Sequence, residues 1–347
     1  MIYFNSDYLE GAHPAIMTRL METNMVQTVG YGEDEYCEAA REKIKSACQA
    51  PEADVHFLVG GTQTNTTVIA AILRPWQGVL SAVSGHINCH EAGAIESTGH
   101  KVITLPTNNG KITAQQVRDY VEWHKNDEST EHIVQPGMVY ISFPTEGGTL
   151  YSKAELTALY GTCKQYGLPL FIDGARLGYG LVADGNDITL PELARLCDVF
   201  YIGGTKVGAL FGEAVVIMNE ALKKDFRFIM KQRGGRLAKG RLLGIQFDAL
   251  FTDDLYLTIS RHAIDMAYQI REIFVSAGYP LLFDSPTNQQ YPIMPDDELA
   301  EIGKNFGYEY WERTDPTHSG VRFCASWATT QENVDALRAA VQALQKK

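Results

Sequence analysis

The sequence predicts an α/β protein whose large domain is built on a mainly parallel sheet wrapped by helices, followed by a small C-terminal α+β domain. Three observations lead there. Strand-length apolar runs alternate with helical-period segments between residues 54 and 218, the signature of successive βα units. Two of those runs, 168–173 and 198–203, are apolar with no polar alternation, as in strands covered on both faces. A long helical pattern over 242–277 then separates this region from a strand-bearing tail that starts near Gly278. The expected division is 1–241 for an N-terminal arm and large domain, and 242–347 for the linking helix and small domain. With 347 residues, 45% of them hydrophobic, the chain is long enough to bury cores for both.

Taken in order, the chain opens on a polar arm containing Ser6-Asp7 and a turn at Gly30-Tyr31-Gly32-Glu33-Asp34, before a helical stretch to about Cys48. A strand at 54–59 runs into Gly60-Gly61-Thr62 and then an apolar-periodic helix to Leu73. Strand, paired glycines, hydroxyl residue and helix form an anion site, because free N–H groups and the positive end of the helix dipole converge there. The pattern is neither GxxxxGK[ST] nor a dinucleotide fingerprint. A strand at 79–82 leads into a loop carrying His86, His90 and Glu91, which lack the H-E-x-x-H order of a metal site. His86 is expected to stack on a flat cofactor, and His90 to be structural. Units at 101–105, 114–124, 138–142 and 153–166 continue the alternation, with a surface loop over 126–135. The loop 143–149 leaves a strand's carboxyl end and puts Glu146 within reach of the same edge.

Two strand ends carry the chemistry. The run 168–173 ends on Asp173, and the run 198–203 opens through Gly203-Gly204-Thr205 onto Lys206. Ligands of open α/β sheets bind outside the carboxyl ends of the strands, so both residues fall on the functional edge. A lysine and an aspartate so placed suit pyridoxal phosphate: the amine forms a Schiff base with the aldehyde, and the carboxylate keeps the pyridine nitrogen protonated. After a strand at 213–218 comes a basic, glycine-bearing patch over 226–241 with Lys231 and Lys239, able to hold a phosphate in an otherwise acidic chain. In the small domain, Arg322 is a single arginine in an apolar strand at 320–327, and a substrate carboxylate offers it the bidentate partner that a buried guanidinium needs.

The net charge of −12 argues against nucleic acid as a partner. No run is long enough to span a membrane, and the first residues lack a basic region and a long apolar region, so a cytoplasmic location is expected. The six cysteines are scattered singly and read as reduced, packed thiols.

Ser6-Asp7, Tyr31-Gly32-Glu33-Asp34, Gly61-Thr62-Gln63, His86 with Glu91-Ala92-Gly93, Asp173-Gly174-Ala175-Arg176, Thr205-Lys206 and Val321-Arg322 together resemble, in order, the motifs of the threonine aldolase and β-eliminating lyase family. The resemblance spans almost the whole chain. It implies the type I fold of pyridoxal 5'-phosphate enzymes, retro-aldol cleavage of β-hydroxy-α-amino acids to glycine and an aldehyde, and a homodimer or homotetramer with active sites shared between subunits. It implies Lys206 as the Schiff-base lysine, Asp173 as the partner of the pyridine nitrogen, His86 stacked on the ring and Arg176 beside its phenolic side. Gly61, Thr62 and Thr205 would hold the phosphate, with Lys231 and Lys239 as candidates to reach a neighbour's phosphate. Ser6, Tyr31, Arg176 and Arg322 would meet the amino-acid substrate. One departure is visible: many threonine aldolases carry a histidine after the threonine where this chain has Thr145-Glu146. His86, Glu146 or a water could each act as the base, and β-elimination, dehydration or racemisation on the same cofactor are the alternatives. Arg322 with Ser6 disfavours a non-catalytic carrier, which has no use for a carboxylate clamp.

Overall fold

In the computed structural model, which describes residues 1–345, seven strands form one sheet. Their order is Asp54–Leu58, Glu213–Ile217, Val199–Gly203, Leu170–Asp173, Gln135–Ser142, Gln77–Ala82 and Val102–Leu105. All run parallel except Glu213–Ile217, which is antiparallel to both of its neighbours. The carboxyl ends of six strands and the amino end of Glu213–Ile217 therefore share one edge.

Successive strand residues face opposite sides of the sheet. Ile172, Phe200 and Ile202 pack with Leu156 and Leu159 of helix Lys153–Tyr166 and Phe247 of helix Arg241–Leu250. Phe171, Val199 and Tyr201 pack on the other side with Val68 and Ile69 of helix Gly61–Ile72. Both faces are covered, which is why these runs show no polar alternation. Helix ends obey local chemistry: Ser152 and Glu155 form a capping box, and Gly167 closes that helix at φ 67°.

The expected continuous helix over 242–277 is instead two helices, Arg241–Leu250 and Leu255–Ser276. Asp253 and Asp254 break it, both in the left-handed region at φ 50° and 54°. Aspartate tolerates that conformation, while the apolar periodicity on either side masked the break. Helix Leu255–Ser276 bridges two cores, with Ile259, Ala263 and Ile264 in the large one and Ile270, Ile273 and Phe274 in the small one.

The small sheet is centred on His318–Cys324, flanked by Ile293–Pro295 and Glu309–Arg313. The arm joins this unit: Ile2–Tyr3 pairs with Phe306–Gly307, and Phe4 lies in the small core. The arm then forms a helix, Pro14–Thr23, where the sequence reading had only an arm and loop; just Ile16 of it is buried, so its apolar pattern is incomplete. Of the cysteines, all unpaired, only Cys89 is exposed. Among the described residues no helix is long and apolar enough to cross a membrane.

Candidate active site

Glycines bring the strand ends together. Gly203 donates its N–H to Gly174 O at 2.9 Å, and a Cβ at Gly203 would run into the Ala175 carbonyl. The turns carrying Asp173 and Lys206 can approach only because that side chain is missing. Across the edge, Gly60, Gly61 and Thr62 form the start of helix Gly61–Ile72, and a Cβ on Gly61 would stand 3.1 Å from the Tyr201 hydroxyl. These three elements line one cavity of about 310 Å³, with His86 and Glu146 among its walls.

Asp173 is buried and held from several directions. Tyr201 Oη donates to its Oδ1 at 2.5 Å, Tyr140 Oη to its Oδ2 at 2.6 Å, and the Ala175 N–H to Oδ1 at 3.0 Å. Burial alone would raise its pKa, but the His86 charge and these donors outweigh it and hold the carboxyl below its ordinary value. Asn65 Nδ2 bridges Asp173 Oδ2 at 3.1 Å and Glu91 Oε1 at 2.7 Å. Glu91 Oε1 in turn meets His86 Nδ1 at 2.7 Å. Burial opposes charge on His86, yet Glu91 and Asp173 push its pKa above the usual histidine value. The imidazole is thus fixed at Nδ1 against the cavity.

Lys206 is pushed the other way. Burial, then the Arg176 guanidinium, lower its pKa despite the nearby Asp7, Asp173 and Glu213 carboxylates. A lysine with a depressed pKa presents more of its nucleophilic neutral amine. Glu146 accepts from Ser142 Oγ at 2.6 Å and from the His86 N–H at 2.8 Å, both on Oε1. Burial raises its pKa above the ordinary carboxylate value.

A second cavity of about 380 Å³ shares Tyr8, His86, Glu146, Arg176 and Lys206 with the first and adds Arg322. Arg322 donates to Gln289 Oε1 at 3.1 Å and Asn5 O at 3.0 Å, while its buried Nε has no partner. Ser6 Oγ is also buried without a partner. Buried donors without partners are uncommon, and the Nε–H of Arg322, on the wall of the second cavity, suits an acceptor brought by a ligand. Arg176 is instead engaged by Asp7 through Nε at 2.7 Å and Nη2 at 3.0 Å. Asp7 has a pKa of about 2: burial opposes its charge, but Arg176 more than compensates.

Not every candidate converges here. Ser6, Tyr31, Lys231 and Lys239 line neither cavity, with Lys231 Nζ 4.6 Å from the centroid of the Tyr31 ring. Thr205 lines the first cavity, but its hydroxyl donates to Glu213 Oε1 at 2.7 Å. His90, read from the sequence as structural, borders the second cavity with its ring 5.6 Å from that of His86. Glu213, Asn65, Tyr140 and Tyr201 were missed; only Glu213, a lone carboxylate opening an apolar strand, left a local signal.

The cavity fits a flat ring with a basic nitrogen and an anionic tail: an ionised carboxylate, a buried amine and a helix N-terminus face one space. The family model described as beta-eliminating lyase matches residues 4–343. A low-specificity L-threonine aldolase of Pseudomonas aeruginosa is 29% identical over 334 residues, covering 95% of this chain and 94% of the relative. The solved threonine aldolase of Leishmania major superposes with a TM-score of 0.97 at 42% identity, covering 99% of this chain and all of that one. An aspartate aminotransferase of Thermus thermophilus, at 14% identity, TM-score 0.72 and coverage of 100% and 91%, shares the fold.

Proposed function

This chain belongs to the β-eliminating lyase family, and on that premise we propose that it is a pyridoxal 5'-phosphate-dependent lyase cleaving β-hydroxy-α-amino acids of the threonine type to glycine and an aldehyde. The observation that carries this reading is the shared cavity of Lys206 and Asp173, continuous through Glu146 and Arg176 with a second space holding Arg322. Lys206 Nζ would hold the cofactor covalently, Asp173 would face its ring nitrogen, His86 its ring, and the Gly60–Thr62 backbone its phosphate. When bound, the cofactor supplies an electron sink for the pair released at Cα.

The chain's own residues do the rest. Arg322, with its free Nε–H, and Ser6 Oγ bind the substrate carboxylate and so fix which bond at Cα stands perpendicular to the ring plane. Glu146, pinned through Oε1, has Oε2 left to take the proton of the β-hydroxyl as the Cα–Cβ bond breaks. The test is product identity: threonine, allo-threonine and phenylserine should give aldehyde and glycine, whereas ammonia and a keto acid would move the reading to β-elimination. Arg322→Ala should lower kcat/KM for every amino acid tried by about 2 kcal/mol, roughly thirtyfold, since a charged hydrogen-bonded contact is lost. An unchanged value with threonine would remove Arg322 from the clamp.

The active unit is a homo-oligomer, dimer or tetramer, in which the patch with Lys231 and Lys239 completes a neighbour's phosphate site. Helix Pro14–Thr23 exposes Met21 (76%), and the irregular segment after it exposes Met25 (88%) and Val29 (66%), apolar side chains that a second copy would cover. Arg241 anchors this segment by donating to the Asn24 carbonyl at 2.9 Å, next to the basic patch. Sedimentation of active protein should show no monomer, and a fully active monomer would exclude shared sites.

A further inference from the structure

Glu213 is a buried carboxylate, 3% exposed, on the wall of the cavity that also holds the Gly60–Thr62 anion site. Its place follows from topology. Glu213–Ile217 is the antiparallel strand, so its first residue lies opposite both Leu58 and Gly203, where those strands end at the functional edge. A negative charge beside an anion site is unfavourable unless it is neutralised.

The hydrogen bonds show how neutralisation would act. With Glu213 ionised, Thr205 Oγ1 donates its one hydrogen to Glu213 Oε1 at 2.7 Å and accepts the Gly212 N–H at 3.0 Å. Glu213 Oε2 accepts the Gly204 N–H at 3.1 Å. A hydroxyl has one hydrogen and two lone pairs. In this arrangement Thr205, though it lines the cavity, has nothing to donate into it. A proton on Glu213 Oε1 reverses that bond: Glu213 then donates to Thr205 Oγ1, whose own hydrogen is released toward the cavity, while the Gly212 and Gly204 contacts stay as they are.

We propose that Glu213 is a positioning residue that takes up a proton from water when an anion binds in the Gly60–Thr62 site, turning Thr205 from a donor to Glu213 into a donor to the anion. The proposal rests on the cofactor reading above, since it assigns that anion as the cofactor's phosphate. The charged and titratable groups facing Glu213 are Lys206, Asp173, Tyr201 and Tyr256. Burial pushes the Glu213 carboxyl up to about 8, beyond what the Thr205 and Lys206 contacts lower. Below that value the carboxyl already carries its proton, so uptake on anion binding is confined to the range above about pH 8.

The test uses the full chain stripped of cofactor, with inorganic phosphate and pyridoxamine phosphate as probes, since the latter cannot bond covalently to Lys206. Titration calorimetry with inorganic phosphate, in buffers of different ionisation enthalpy from about pH 7.5 to pH 9.5, reads affinity and proton uptake together; pyridoxamine phosphate, whose ring nitrogen titrates in the same range, is used only to establish that the cofactor binds. Wild type should take up close to one proton per phosphate above roughly pH 8, and its affinity should fall about tenfold per further pH unit. Glu213→Gln keeps the Gly204 contact through its carbonyl oxygen and donates permanently to Thr205 through its amide. Its affinity should be nearly flat across this range, with proton uptake abolished. Thr205→Val should lower affinity at the acid end to the wild-type level at the alkaline end. Binding with no proton uptake, or a Glu213→Gln protein that keeps the full slope because Lys206 titrates instead, overturns the proposal. Failure of pyridoxamine phosphate to bind at any pH is a different result, which removes the cofactor reading and this inference with it.

Discussion

Lys206→Ala is expected to abolish the visible absorbance of cofactor-loaded protein and to lower turnover on the order of a thousandfold or more. The size follows from proximity: an amine held at its reaction partner acts at effective molarities of roughly 10⁵ M or above, which free amines in solution cannot replace. Lys206 is suited to this by its burial and by Arg176, which depress its pKa. The variant should stay folded, because Tyr179 Oη bonds the Lys206 carbonyl, at 2.5 Å, and not its side chain. Wild-type protein with no visible band after addition of cofactor would defeat the functional reading at its base.

Glu146→Gln should slow cleavage of β-hydroxy substrates roughly a hundredfold, the usual contribution of a general base, while leaving exchange of the α-proton of glycine in heavy water nearly unchanged. Glutamine preserves the acceptor for Ser142 and for the His86 N–H, so the loop is kept and only basicity is lost. The sign of the pH dependence follows from the same group. A base must be ionised to work, and Glu146 has a raised pKa, so wild-type kcat/KM should climb with pH through a limb above the ordinary carboxylate range. That limb should vanish in Glu146→Gln. If both proteins show the same limb, the proton is taken by His86 or a water, and Glu146 is a structural acceptor.

The two residues at the centre of the site were legible because they end local patterns. A buried parallel strand is apolar on both faces, so a charged residue at its carboxyl end, Asp173 after Leu170-Phe171-Ile172 or Lys206 after two glycines, stands out without knowledge of any partner. The same applies to Gly61-Thr62 at a helix start, where backbone N–H groups are free whatever the rest of the chain does. The helix break at Asp253-Asp254 was hidden because apolar periodicity reports which face is buried and not whether the backbone is continuous.

The sequence by itself thus determined the alternating elements, the sheet edge and the residues that terminate its strands there, since each depends on neighbours within a few positions. Only the tertiary structure decided what tunes them. Tyr140 and Tyr201 sit within apolar runs that give no sign of a role, and it is the adjacency of strands Gln135–Ser142 and Val199–Gly203 to Leu170–Asp173 that lets both hydroxyls reach one carboxylate. Asn65 joins Glu91 to Asp173, Arg176 is claimed by Asp7 from the arm, and Glu213 meets Thr205 through an antiparallel register. These pairings set the charge and hydrogen positions of the site, and they depend on strand order and through-space distance, which local periodicity does not encode.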